Sequence, residues 1–156
     1  MLLGVISDTH KNKYYINKAI EKLENVDMII HLGDNTQDIK EIEKIYKGSI
    51  IYVSGNCDFM DSESSEKILL LGGKKVFITH GDRYDVKNGL LKLRYRALEL
   101  GVEIVLYGHT HVSKVDYEGG VFFINPGSTA TPRNGVNTVA TVDITGNTII
   151  PSIVDI

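Results

Sequence analysis

Two imidazoles one residue apart stand at the end of the apolar run Ile104-Val105-Leu106-Tyr107, in the segment Gly108-His109-Thr110-His111. In extended backbone, residues i and i+2 share a face about 6.6–6.8 Å apart, and neutral imidazole is the commonest metal-ligating side chain. His109 and His111 can therefore reach one site, or stand as a polar loop with no joint role; the pair alone leaves both open. Two of the other three histidines extend the pattern. His10, His80, His109 and His111 each stand just past a predicted strand end, beside a glycine or a carboxylate. His31 differs, being enclosed in Met28-Ile29-Ile30-His31-Leu32, which points to a hydrogen-bonded supporting role.

Taken in chain order, the polar groups that follow apolar runs are Asp8-Thr9-His10, Gly33-Asp34-Asn35, Gly55-Asn56-Cys57-Asp58, His80-Gly81 and Gly108-His109-Thr110-His111. This mixed oxygen and nitrogen set suits Mn, Fe, Co, Ni or Zn better than Ca or Mg, and does not suit metals that seek thiolate. Seven ligands (Asp8, His10, Asp34, Asn56, His80, His109 and His111) exceed what one tetrahedral ion needs. Two ions about 3.5–4 Å apart sharing a carboxylate would use them all, and that spacing clamps a phosphoryl group during in-line displacement. Glycines beside the ligands allow close backbone approach.

The elements that must position these groups follow from hydrophobic spacing. Residues 2–7 form a buried strand and 13–23 a helix with Ile16, Ala19, Ile20 and Leu23 on one face; 26–32 is a second buried strand, 36–46 a second helix and 49–53 a β-branched third strand. This βαβαβ unit demands a parallel sheet with right-handed crossovers, and ligands gather at the carboxyl ends of its strands. The second half changes character. Gly72-Gly73 joins 66–71 to 74–79 as a hairpin, a third helix near 89–100 stops at Gly101, and short strands follow at 104–107, 114–117, 121–125, 138–144 and 148–154. The expected fold is α/β: a four-layer α/β/β/α sandwich of two mixed sheets flanked by helices, formed by one domain over residues 1–156.

Composition narrows the function classes. A chain of 156 residues with one cysteine, Cys57, can hold a core without an internal disulfide. Met1-Leu2-Leu3 carries no basic leader, and no apolar run approaches the ~20 residues of a spanning helix. A cytoplasmic protein without membrane partner is expected. The net charge of −3 provides no general field for extended nucleic acid; a phosphate-bearing substrate needs local cations. The sequence does not set an oligomeric state, and a homo-oligomer is compatible with it.

Five motifs in this order resemble the calcineurin-like metallophosphoesterase superfamily, whose pattern is D-x-H, G-D, G-N-H-D/E, a lone H and G-H-x-H. The resemblance runs from Ile6 to about Arg133. The short chain, with Asn125-Pro126-Gly127-Ser128 and Pro132-Arg133, is similar to the small prokaryotic phosphodiesterase branch, which shares its fold with a eukaryotic retromer scaffold subunit. The resemblance implies that Asp8, His10 and His111 hold one ion, that Asn56, His80 and His109 hold the other, and that Asp34 bridges them. It implies two divalent ions, manganese first, with Ni, Fe, Co or Zn as alternatives. The implied activity is hydrolysis of a small phosphodiester by in-line attack of a metal-bridging hydroxide, with Asp34, Asn56 and His109 at the catalytic centre. Arg133, Asn12 and Cys57 are the candidate substrate contacts.

Cys57 replaces the superfamily's usual histidine, which is held to assist the leaving group. A thiol donates weakly and carries no charge, so esters with good leaving groups should be favoured. Asp82 and Lys11 also depart from the usual residues at their positions. Two other readings share the fold: a non-catalytic interaction scaffold, from which loss of ligands is expected, and a nuclease for short oligonucleotides, which would want a basic strand-binding surface.

Overall fold

The computed structural model describes residues 1–59 and 62–156. Its first strands and helices alternate. Strand β1 (Leu2–Ile6) leads to helix α1 (Lys13–Lys22), β2 (Met28–His31), helix α2 (Ile39–Ile45) and β3 (Ser49–Tyr52). Asn12 caps α1, its Oδ1 accepting from Tyr15 N at 3.3 Å. Ile16, Ala19 and Ile20 are buried on the helix face that the 3.6-residue period brings together. Residues 36–46 are not one helix as the spacing suggested. A 3₁₀ turn at Thr36–Asp38 precedes α2, because Asn35 is left-handed (φ 71°) and Thr36 N is drawn away to Asp58 Oδ1 at 2.9 Å.

The second half contributes β4 (Glu66–Leu71), β5 (Lys74–Thr79), α3 (Leu91–Leu100), β6 (Ile104–Tyr107), β7 (Ser113–Glu118), β8 (Val121–Pro126), β9 (Thr138–Thr145) and β10 (Thr148–Asp155). The strands form two five-stranded sheets, ordered β10-β9-β1-β2-β3 and β4-β5-β6-β8-β7. Both are mixed. β1, β2 and β3 are mutually parallel, and β9 runs antiparallel to β1, pairing Leu3 with Val142. In the second sheet the central β5, β6 and β8 are parallel, while β4 and β7 close its edges in antiparallel hairpins. Local pairing therefore governs only the hairpins, and the β9–β10 pair returns to the first sheet.

Three apolar clusters separate four layers. Leu3, Val5, Ile30 and Leu32 from one sheet meet Val76, Ile78, Leu106 and Ile124 from the other. Ile16, Ile20, Ile29 and Ile42 join the first sheet to α1 and α2, and Phe77, Leu93, Ala97 and Phe123 join the second to α3. Each fully buried aliphatic or aromatic side chain contributes about 1.5–3 kcal/mol. The α/β/β/α sandwich follows from sheets that are apolar on both faces. The carboxyl ends of β1, β2, β5 and β6 converge at one rim, where parallel strands leave their loops.

Candidate metal centre

The rim is built from loops that abandon ordinary backbone geometry at the residues of interest. Asp8 (φ 55°), His10 (43°), Asp34 (61°), His109 (69°) and His111 (59°) are all left-handed. Asp, Asn and His enter this region more readily than other non-glycine residues, yet each such position costs of order 1–3 kcal/mol and persists only when the surroundings enforce it. Five such residues gather at one rim.

Hydrogen bonds from the loops provide the enforcement. Asp8 N donates to Gly33 O at 3.1 Å, and Ser128 Oγ donates to Asp8 O at 3.0 Å. Asn125 is buried; its Nδ2 donates to Gly108 O and Thr110 Oγ1, both at 3.0 Å, while its Oδ1 accepts from Gly127 N at 2.9 Å. Asp58 holds the Gly55 loop to the Asp34 loop. Its Oδ2 accepts from Asp34 N (2.9 Å) and Gly55 N (2.8 Å), and its Oδ1 from Thr36 N. Two glycines permit the close approach. A Cβ on Gly55 would lie 2.3 Å from Asp34 Oδ1, and one on Gly108 would lie 2.1 Å from Ser7 Oγ.

His31 lies beneath the rim, fully buried. Gly33 N donates to its Nδ1 at 3.1 Å, so the ring proton belongs on Nε2, which meets Thr9 Oγ1 at 3.1 Å; Thr9 in turn donates to Asp38 Oδ2 at 2.7 Å. Burial holds its pKa down to about 4, against the pull of Asp38 and Asp58. His31 is thus a neutral support, as its apolar setting in the sequence indicated.

One oxygen or nitrogen from each of Asp8, His10, Asp34 and His111 lies within 4.8 Å of all the others. His111 Nε2 stands 3.0 Å from Asp8 Oδ1, and His10 Nε2 4.0 Å from it. His80 and His109 continue the group. His80 Nε2 lies 3.4 Å from Asp34 Oδ1 and 3.1 Å from His109 Nδ1. Asn56 stays outside these short distances, being exposed with its Nδ2 turned to Cys57 Sγ at 3.4 Å.

The donor set fits divalent cations. Carbonyl oxygens only accept, so His80 Nδ1 must carry a proton toward Leu32 O (2.8 Å), and His111 Nδ1 one toward Thr131 O (2.7 Å). That leaves both Nε2 lone pairs facing inward, the orientation that supporting hydrogen bonds impose on ligating histidines. Asp8 Oδ1 and His10 Nε2 are buried without a hydrogen-bond partner among the described residues. Buried polar atoms are normally paired, and a cation bound here would supply the missing partner for both.

Electrostatics agree with this arrangement. Burial alone would raise the Asp8 carboxyl, but the adjacent His111 imidazole and the nearby His80 lower it on balance. His111 is raised, chiefly by the Asp8 carboxylate beside its Nε2. His109 is lowered, first by burial and then by His80 and Lys87. The Cys57 thiol is pushed up to about 11 by desolvation and by Asp34, so it is a neutral donor at physiological pH and not a thiolate.

The outlying candidates fall in different places. Arg133 is exposed; its backbone N donates to His111 O at 3.0 Å, and its charge lowers His111. Cys57 N donates to Asp34 Oδ1 at 2.9 Å. Asn12 is occupied as the α1 cap, which explains its presence without a substrate. Nothing in the sequence assigns roles to Asp58, Asp38, Asn125 or Ser128. Asp58 and Asn125 lie inside the Gly55–Asp58 and Asn125–Ser128 motifs, but their partners come from distant segments that spacing does not reveal.

The chain belongs to the calcineurin-like phosphoesterase superfamily, whose domain matches residues 1–147, and its relatives place it among metal-dependent phosphoric ester hydrolases. Among its relatives, a probable metallophosphoesterase of Methanocaldococcus jannaschii, MJ0623, is 38% identical over 138 residues, 85% of this chain and 70% of that protein. Phosphodiesterase MJ0936 of the same organism is 32% identical over 92% of this chain and 93% of its own. A predicted phosphoesterase from Streptococcus pneumoniae superposes with a TM-score of 0.83 at 30% identity, covering 99% of this chain and 88% of that one. Zinc-complexed Vps29 from Entamoeba histolytica, at 20% identity and a TM-score of 0.77 over 99% of each chain, shares the fold.

Proposed function

We propose that the protein is a binuclear phosphodiesterase in which Asp8, His10 and His111 hold one divalent ion, Asn56, His80 and His109 hold the second, and Asp34 bridges them. The observation that carries this reading is the pair of partnerless buried atoms, Asp8 Oδ1 and His10 Nε2, in a cluster whose other imidazoles are locked with Nε2 inward. When bound, two such ions supply Lewis-acid polarisation of the phosphoryl group and a water activated for attack. The mixed oxygen and nitrogen donors suit Mn, Ni, Fe, Co or Zn, and manganese is the first to test.

The chain's own residues supply the rest. Asp34, fixed by Asp58 through its backbone and by Cys57 N through Oδ1, presents a carboxylate in one orientation to both halves of the site. Arg133 stands beside His111, where a guanidinium can take a nonbridging phosphate oxygen. Asn56 reaches the second half by turning its amide from Cys57, which it can do because it is exposed. Cys57 offers a neutral S–H beside Asp34 and no strong general acid, so diesters with good leaving groups are preferred over monoesters. Retention of all seven ligand types favours an enzyme over a scaffold of this fold.

The test is turnover of bis(p-nitrophenyl) phosphate by metal-stripped protein before and after addition of Mn²⁺, Ni²⁺, Co²⁺ or Zn²⁺, with bound metal counted per chain. Restored activity with two equivalents is expected. Failure of every metal to restore turnover would refute the assignment, and full activity at one equivalent would refute the second ion.

A further inference from the structure

A cavity of about 640 Å³ opens beside Asp34, between the Thr36–Glu43 segment and the end of the Gly55 loop. Its volume lies within the ~300–1,000 Å³ of small-molecule sites. Cys57 belongs to both places: it bonds Asp34 through its backbone N and lines the cavity. Asp58 also lines the cavity, and its carboxylate ties the two walls together by accepting from Thr36 N on one and Gly55 N on the other. Cys57 and Asp58 thus connect the cavity wall to the loop that carries Asp34.

Its chemistry is that of a planar ring site. Phe59 lines it while 91% exposed, a large aromatic surface that the fold does not use. Tyr52 and Ile39 add apolar wall, and Gln37, Lys40 and Glu43 place an amide, an ammonium and a carboxylate around the margin. Such a margin can meet both donors and acceptors on a ring edge. A simple alkyl ester would leave these groups unused.

We infer that this cavity seats the heteroaromatic base of a nucleotide-type phosphodiester, with Phe59 as the stacking face, while the phosphate occupies the metal centre. The inference rests on the proposed phosphodiesterase reading and adds its substrate class. Phe59 is a specificity-determining residue in this scheme, and the sugar spans the Cys57 corner between ring and phosphate.

The chain contains no tryptophan, so F59W places a single fluorophore on the stacking face, and the exposure of Phe59 makes the change compatible with folding. Mn²⁺-loaded F59W is titrated with AMP and with ribose 5-phosphate, which carries a like phosphate and no base. AMP should quench the fluorescence saturably while ribose 5-phosphate should not. In parallel, inhibition of bis(p-nitrophenyl) phosphate turnover is measured for both compounds. In F59A the ratio of the AMP inhibition constant to that of ribose 5-phosphate should rise about tenfold, the effect expected of losing one stacking partner. Equal responses to the two compounds, or an unchanged ratio in F59A, would overturn the inference while turnover leaves the phosphodiesterase reading intact. Absence of turnover with every metal would instead strike that reading, and the fluorescence titration still judges the cavity.

Discussion

Replacing Asp58 by asparagine should damage the rim more than any single change at the strained residues it supports. The carboxylate is 9% exposed and accepts three backbone N–H groups, from Asp34, Gly55 and Thr36. Asparagine keeps the shape but has one accepting oxygen, so the best rotamer retains Asp34 N and Gly55 N as neutral partners and points an NH₂ group at Thr36 N. Hydrogen bonds to charged groups are worth about 1.5–3 kcal/mol each, and a buried donor left unmet costs about 1–3 kcal/mol. One lost partner plus two weakened bonds gives a destabilisation of about 3 kcal/mol. For a chain of this size that corresponds to a fall in Tm of ~6–12 °C. Urea unfolding in EDTA, which removes any contribution from bound metal, should show a lower midpoint at unchanged slope. A loss below about 1 kcal/mol would refute the view that this carboxylate anchors the two loops.

Asp34→Asn removes the charge proposed to bridge the ions, and kcat/KM for bis(p-nitrophenyl) phosphate should fall at least ~100-fold, about 2.7 kcal/mol of barrier; retained turnover would refute the bridging role. Cys57→His introduces a group that can be a cationic donor where the thiol is neutral, and should raise p-nitrophenyl phosphate hydrolysis relative to the diester. An unchanged ratio would show that this position does not select substrates. His31 predicts a specific acid sensitivity. Its folded pKa near 4 lies below the ordinary 6.5, so both states are neutral above pH 6.5, and below it only the unfolded chain takes the proton. Stability should therefore fall by about 3 kcal/mol between pH 6.5 and 4, and His31→Asn should lack that component in urea titrations across the range; parallel profiles would refute it.

The layers were legible because apolar spacing is a direct record of which face is buried. Ile16, Ala19, Ile20 and Leu23 mark one side of α1, and the β-branched runs at residues 28–31 and 104–107 mark strands enclosed on both faces. The same rule located the site, since a polar residue that directly follows a buried strand must lie at a sheet rim. What spacing does not carry is the identity of long-range partners. Nothing near residues 138–155 indicates pairing with β1 at the other end of the chain, and nothing near residue 58 indicates that its carboxylate serves backbone amides of residues 34 and 36.

The left-handed backbone at Asp8, His10, Asp34, His109 and His111 has the same origin. Local preference favours other conformations at each, and at ~1–3 kcal/mol apiece the five together rival the whole stability of a typical domain. They are held by Asp58, Asn125, Ser128 and the Gly33 carbonyl, all contributed from elsewhere in the sequence. A fold selected for stability alone would shed such positions. Retaining them brings carboxylates and imidazoles from separate loops to within 4.8 Å of one another, so the strain is itself an argument that the rim serves chemistry and not packing.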